Sequence, residues 1–211
     1  MSILNLEALK HAPLEREPFE HILVPKFIQS DALAALAKDF PAIAAPGSIP
    51  PSELAYGPSF AALLKELEAE PLRDLMAERF RFDLRGRPSM LTVRGLARPG
   101  DGRIHADSAD KLITVLIYLN ADWAVRGGRL RLLRSAHNLE DWFLEVPPEA
   151  GVMLAFRCRP NAWHGHKPFS GSRRVVQLNW VRNERVVRRE LFRHRLSAKI
   201  KRFKAALRLA G

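Results

Sequence analysis

The sequence predicts a mainly β chain with flanking helices, a double-stranded β-helix of the jelly-roll, cupin-like barrel type followed by a basic C-terminal helix. Three observations lead there. From Ser89 to Arg182 short apolar runs alternate with turn residues, the pattern of many short strands. Residues 1–88 hold one strand-like run and several stretches of helical spacing, and the last thirty residues concentrate the positive charge. These divisions give a domain over 1–183, with a strand and supporting helices in 1–88 and the barrel in 89–183, and a basic amphipathic helix over 184–211.

Phe19 to Phe27 reads as an opening strand closed by Pro25, and Ser30 or Asp31 is placed to cap a helix running from Ala32 to Phe40. Residues 41–58 contain five prolines and two glycines and form a long ordered loop, a wall for the active site or a plain connector. Phe60 to Glu68 and Leu72 to Phe80 have helical spacing, interrupted at Pro71, and should pack outside the sheet. Lys111 to Asn120 is rich in β-branched residues and reads as a buried strand. Turn residues at Gly127 and Gly128 precede strand-like runs over 129–133, 152–156 and 174–180.

His105-Ala106-Asp107 lies at the start of this β-rich half, with His164 57 residues after Asp107 and Arg174 ten residues further. Two imidazoles and one carboxylate form the ligand set that holds ferrous iron on one face and leaves the opposite positions open. In an extended strand residues i and i+2 point to one side, so His105 and Asp107 can reach one metal together. A guanidinium after the third ligand suits the far carboxylate of a small dicarboxylic acid.

The ordered set H-x-D, T-x-x-x-Y-L-N-x-D-W, G-G-x-L-R, N-x-x-H-x-x-x-P and R-x-x-x-x-x-W runs from His105 to Trp180. It resembles the prolyl 4-hydroxylase-like branch of the iron- and 2-oxoglutarate-dependent dioxygenases, with the hypoxia-sensing prolyl hydroxylases the nearest comparison. The resemblance implies His105, Asp107 and His164 as iron ligands. It implies that Arg174 clamps the distal carboxylate of 2-oxoglutarate, that Tyr118 donates to the same carboxylate, and that Trp180 packs near the cosubstrate. His166 is the alternative third ligand, but Pro168 falls four residues after His164, as the family pattern has it. Arg173 is the alternative clamp. Alternation sends it to the face opposite Arg174, and the six-residue step to Trp180 puts Arg174 and Trp180 on one face, which favours Arg174.

One departure is visible. Relatives often carry a Tyr some ten residues before the first ligand, where this chain has the aromatic-free stretch Arg94 to Gly102, with Arg98 near that place. The chemistry implied by the resemblance is hydroxylation of an unidentified substrate with Fe(II), 2-oxoglutarate and O2, releasing succinate and carbon dioxide. A prolyl or other protein side chain, or a small polar molecule such as a sugar, would serve as substrate.

The 211 residues can bury a substantial core. Cys158 is the only cysteine, which excludes an intrachain disulfide and reads as a spectator thiol. No secretory signal or membrane-length apolar run is evident, so a cytoplasmic protein is expected. From Arg182 to Gly211 eleven Lys or Arg face only Glu184 and Glu190, so most of the net charge of +11 is local. Leu196, Ile200, Phe203 and Leu207 form one apolar stripe. Such a helix can dock on the barrel or meet an anionic partner, either a membrane surface or nucleic acid. Two rival functions follow. A nucleic-acid-directed dioxygenase would explain the tail, but repair enzymes carry a second Arg where this chain has Trp180. A non-catalytic jelly-roll binding module has no need of the full set of polar residues.

Overall fold

The computed structural model describes residues 2–125, 127–193 and 196. In chain order its elements are α1 (Leu6–His11), β1 (His21–Val24), α2 (Leu33–Asp39), α3 (Pro58–Glu68), α4 (Glu70–Phe80), β2 (Ser89–Ala97), β3 (Lys111–Tyr118), β4 (Leu130–Leu133), β5 (Trp142–Val146), β6 (Met153–Arg157), β7 (His164–Gly165) and β8 (Gly171–Val181). The strands form two antiparallel sheets, a major one of order β1-β6-β3-β8-β2 and a minor one of order β5-β4-β7. The arrangement is jelly-roll-like. Among the described residues α-helix lies in the N-terminal part, over 184–193 and at 196, with a 3₁₀ turn over Pro99–Gly102. Most of the basic helix expected over 184–211 lies outside the described residues. Among the described residues no helix is long and apolar enough to cross a membrane.

Two apolar clusters explain the layering. Odd-numbered side chains of β3 (Ile113, Val115, Ile117) and even-numbered ones of β8 (Val176, Leu178, Trp180) join Phe60, Leu63, Leu67, Leu72 and Met76 of α3 and α4. Opposite residues of the same strands, including Tyr118 and Val175, join Leu130, Leu132 and Val146 of the minor sheet. The major sheet is therefore covered on both faces, which accounts for the nearly unbroken apolar run of β3.

Several boundaries differ from the sequence expectation. A 3₁₀ turn over Ser30–Ala32, with no side-chain cap, precedes α2 in place of the expected capped start. The break between α3 and α4 falls at Ala69, whose ψ of 155° is extended, and Pro71 occupies the first turn of α4. A proline is tolerated there because its missing N–H has no intrahelical partner in any case. Helix α1, capped by the Asn5 side chain on the Ala8 N–H, and strands β5 and β7 carried no clear sequence signal. The loop over 41–57 is a wall as well as a connector: Ile49 bridges Val93 of β2, and Ser48 reaches the central cavity.

Candidate active site

His105 and His164 meet because their backbones exchange two hydrogen bonds, His105 N–H to His164 O at 3.0 Å and His164 N–H to His105 O at 2.9 Å. Asp107, two residues on, turns its carboxylate to the same side. One ligand atom from each of His105, Asp107 and His164 lies within 4.8 Å of the others, a cluster able to hold a metal ion. His166 lies on the same cavity but is not part of that cluster.

The imidazoles are held in one tautomer. Nδ1–H of His105 donates to Arg103 O at 2.9 Å, and Nδ1–H of His164 donates to Ala162 O at 3.0 Å, which leaves Nε2 of each as the free lone pair. Burial drives the His164 pKa down to about 4 against the opposing pull of Asp107, so the ring is neutral near pH 7. For Asp107, burial acts to raise the pKa. Lys111 Nζ at 2.7 Å and Thr114 Oγ1 at 2.5 Å, with the nearby His164, outweigh it and hold the value at about 2. Thr114 accepts in turn from Asn179 Nδ2 at 2.7 Å, and Asn179 Oδ1 accepts from Gln177 at 3.0 Å. A neutral imidazole pair beside an ionised carboxylate is the donor set that a divalent transition metal takes. Cys158 sits beside this network, and burial, then Asp107, pushes its thiol up to about 12.

The cluster opens into a cavity of about 210 Å³ between the two sheets. Inward residues of β8 are Arg173, Val175, Gln177 and Asn179; those of β2 are Met90, Thr92 and Arg94. Arg173 is 7% exposed, donates through Nε to Gly128 O at 2.8 Å, and lies with Cζ 5.4 Å from the Tyr118 ring centre. Among the described residues no carboxylate pairs with it. The Tyr118 hydroxyl is fully buried and makes no hydrogen bond of good geometry; burial raises its pKa while Arg173, through its charge and its approach to the phenol oxygen, opposes. A buried cation beside an orphaned buried hydroxyl leaves donors without acceptors, and an incoming carboxylate satisfies both.

Two sequence expectations are corrected here. Arg174 does not reach the cavity: its side chain leaves the other face of β8, donates to Ala37 O of α2 at 3.3 Å and lies 5.0 Å from the Phe40 ring centre. Trp180, 1% exposed, packs in the cluster under α3 and α4, away from the cosubstrate pocket. The shared face of Arg174 and Trp180 was read correctly from alternation, but that face is the helix-covered one. Residues to which the sequence reading gave no role are Lys111, Thr114, Gln177, Asn179 and Arg94. The signal for them was polar side chains at alternate positions inside apolar strands.

A jelly-roll-like fold with a two-histidine, one-carboxylate cluster in its mouth offers the donor set of a non-haem metal site. Residues 95–182 match the 2OG-Fe(II) oxygenase superfamily, and together with the His-Asp-His cluster that match supports a 2-oxoglutarate-dependent dioxygenase taking Fe(II), 2-oxoglutarate and O2. Its fold is prolyl 4-hydroxylase-like. A Pseudomonas putida prolyl-4-hydroxylase is similar at 20% identity and TM-score 0.55, over 77% of this chain and 92% of that one. An oxidoreductase of the 2OG-Fe(II) oxygenase family from Burkholderia pseudomallei is similar at 12% identity and TM-score 0.53, over 77% and 85%. Prolyl 4-hydroxylase from Phytophthora capsici is similar at 16% identity and TM-score 0.52, over 79% and 60%. No curated protein sequence matches the chain.

Proposed function

We propose that the chain hydroxylates a prolyl or other protein side chain, or a small polar molecule, with His105, Asp107 and His164 holding Fe(II) and with Arg173 and Tyr118 holding 2-oxoglutarate. The observation that carries this reading is the convergence of the three donors and the unpaired Arg173 on one cavity. Bound iron and 2-oxoglutarate supply the oxidation of a carbon–hydrogen bond to an alcohol, with succinate and carbon dioxide released.

The protein's part is binding and orientation. Nε2 of His105, Nε2 of His164 and an Asp107 oxygen would hold the metal, while Lys111 and Thr114 fix the carboxylate. Arg173 and the Tyr118 hydroxyl would donate to the distal carboxylate of the keto acid. Leu116, Leu130 and Val175 supply the apolar lining between these ends. The Pseudomonas and Phytophthora proteins are prolyl 4-hydroxylases, which supports a prolyl side chain within the substrate range.

The test is anaerobic titration of metal-stripped protein with ferrous iron and then 2-oxoglutarate, following the weak visible charge-transfer band of an iron-chelated keto acid. A saturable band that is lost in Asp107→Ala and weakened in Arg173→Ala is expected. No band, with no heat of binding for either component, would sink the assignment.

A further inference from the structure

We propose that Arg94 is a substrate-binding residue and that the molecule to be oxidised presents a carboxylate to it. This rests on the iron and 2-oxoglutarate roles proposed above.

Arg94 lies on the inward face of β2, opposite Val175 of β8, and lines the same cavity as the metal cluster. Its Nε donates to Ser48 Oγ at 2.9 Å, which ties the 41–57 loop over the cavity. Among the described residues its two terminal nitrogens have no acceptor and no carboxylate lies within ion-pair distance, yet they are not sealed from the cavity. Burial, then the neighbouring Arg173 charge, pulls the Arg94 pKa below its ordinary value. Asp101 and Asp107 pull the other way from beyond ion-pair distance, and a guanidinium stays charged, so among the described residues the site holds a cation with no direct carboxylate partner.

The acids on the cavity wall are engaged elsewhere. Asp107 takes Lys111, Asp101 takes the Arg98 backbone N–H at 2.9 Å, and Glu190 pairs with Arg189 and Arg193 at 3.2 Å. On the roles proposed above, 2-oxoglutarate would not fill the gap, because Arg173 would hold its distal carboxylate and the metal site its proximal one. Arg94 is then the guanidinium on the cavity wall with no carboxylate in ion-pair contact among the described residues, and a second anion would pair with it directly. Two parallel terminal N–H donors match a planar carboxylate, whereas a lysine at this place would be a point charge. The cavity of about 210 Å³ is below the common size of small-molecule sites, so the carboxylate must sit close to the carbon that reacts.

The experiment uses full-length protein loaded anaerobically with Fe(II) and 2-oxoglutarate. Calorimetry measures binding of the proteinogenic L-amino acids and of short hydroxy acids, each against the amide that replaces its carboxylate, with inorganic phosphate as the competing anion. At least one acid is expected to bind about tenfold or more tighter than its amide. Arg94→Gln should erase that difference and Arg94→Lys should restore part of it, while 2-oxoglutarate affinity stays within about twofold. Equal binding of acids and amides, binding of phosphate alone, or no binding by any acid overturns the proposal without using a variant. A tenfold loss of 2-oxoglutarate affinity in Arg94→Gln also overturns it and assigns Arg94 to the cosubstrate. Failure of the wild-type protein to take up iron and 2-oxoglutarate would instead remove the underlying functional reading.

Discussion

Arg173 and Arg174 are adjacent on β8 and leave the sheet in opposite directions, Arg173 toward the Tyr118 ring inside the barrel and Arg174 toward Phe40 under α2. Asn120 holds this register. Its Oδ1 accepts the Arg174 N–H at 2.7 Å while its Nδ2 donates to Pro148 O and Arg174 O. Arg173→Ala should therefore weaken 2-oxoglutarate binding by about a hundredfold or more, the scale of a charge-assisted bidentate contact. Arg174→Ala should change it less than about threefold. The same calorimetric titration on both variants decides, and a larger effect in Arg174→Ala reverses the assignment.

Tyr118→Phe removes one hydroxyl and keeps the ring that faces Arg173. Because the hydroxyl is orphaned without a ligand, the free protein should lose no stability, or gain slightly, on thermal melting. Affinity for 2-oxoglutarate should fall about tenfold, the worth of one hydrogen bond to a charged group. Unchanged affinity would show that the phenol is idle.

Asp107→Ala should abolish ferrous iron uptake measured by metal analysis after desalting. His105→Ala should do the same, whereas His166→Ala should retain iron, because His166 stands apart from the donor cluster. Iron loss in His166→Ala alone would move the third ligand.

Acid should destabilise the metal-free protein in a defined window. His164 and His166 titrate near 4 in the fold, each chiefly through burial, against an ordinary value of 6.5. Between those values the unfolded chain binds more protons, so stability is fully present above pH 6.5 and is lost as pH falls toward 4. The loss is on the order of 3 kcal/mol per histidine. Asp107 acts lower, its contribution being lost as pH falls from 3.8 through about 2. Melting curves of metal-free wild type and His166→Gln test this, the variant being expected to show a shallower decline. Identical slopes would remove His166 from the account.

Trp180→Ala should cost about 3–5 kcal/mol in denaturant unfolding, the usual loss for a large aromatic cut from a packed core. Once folded at low temperature, the variant should bind 2-oxoglutarate normally. Selective loss of cosubstrate affinity would return Trp180 to the pocket.

Much of this protein can be read without coordinates. The H-x-D pair at strand spacing, with the family resemblance carried by residues 105–180, named His105, Asp107 and His164 as metal donors, and the structure gathers those three. Short apolar runs rich in β-branched residues marked most of the strands, and turn residues marked their ends. Parity along β8 was legible too, since Arg173, Val175, Gln177 and Asn179 must share one face.

Which face turned inward was decided only by the tertiary structure. Strand β8 is buried on both sides, by α3 and α4 on one and by the minor sheet on the other, so hydrophobicity does not distinguish its faces. Had one side met water, the apolar set would have declared itself, and Arg173 would have been separable from Arg174 by pattern alone. The same holds for Arg94: an arginine in β2 reads as a surface charge until the 41–57 loop is seen closing over it through Ser48. Local sequence determined the chemistry available, and the packing of a second layer on the major sheet determined which side chains could use it.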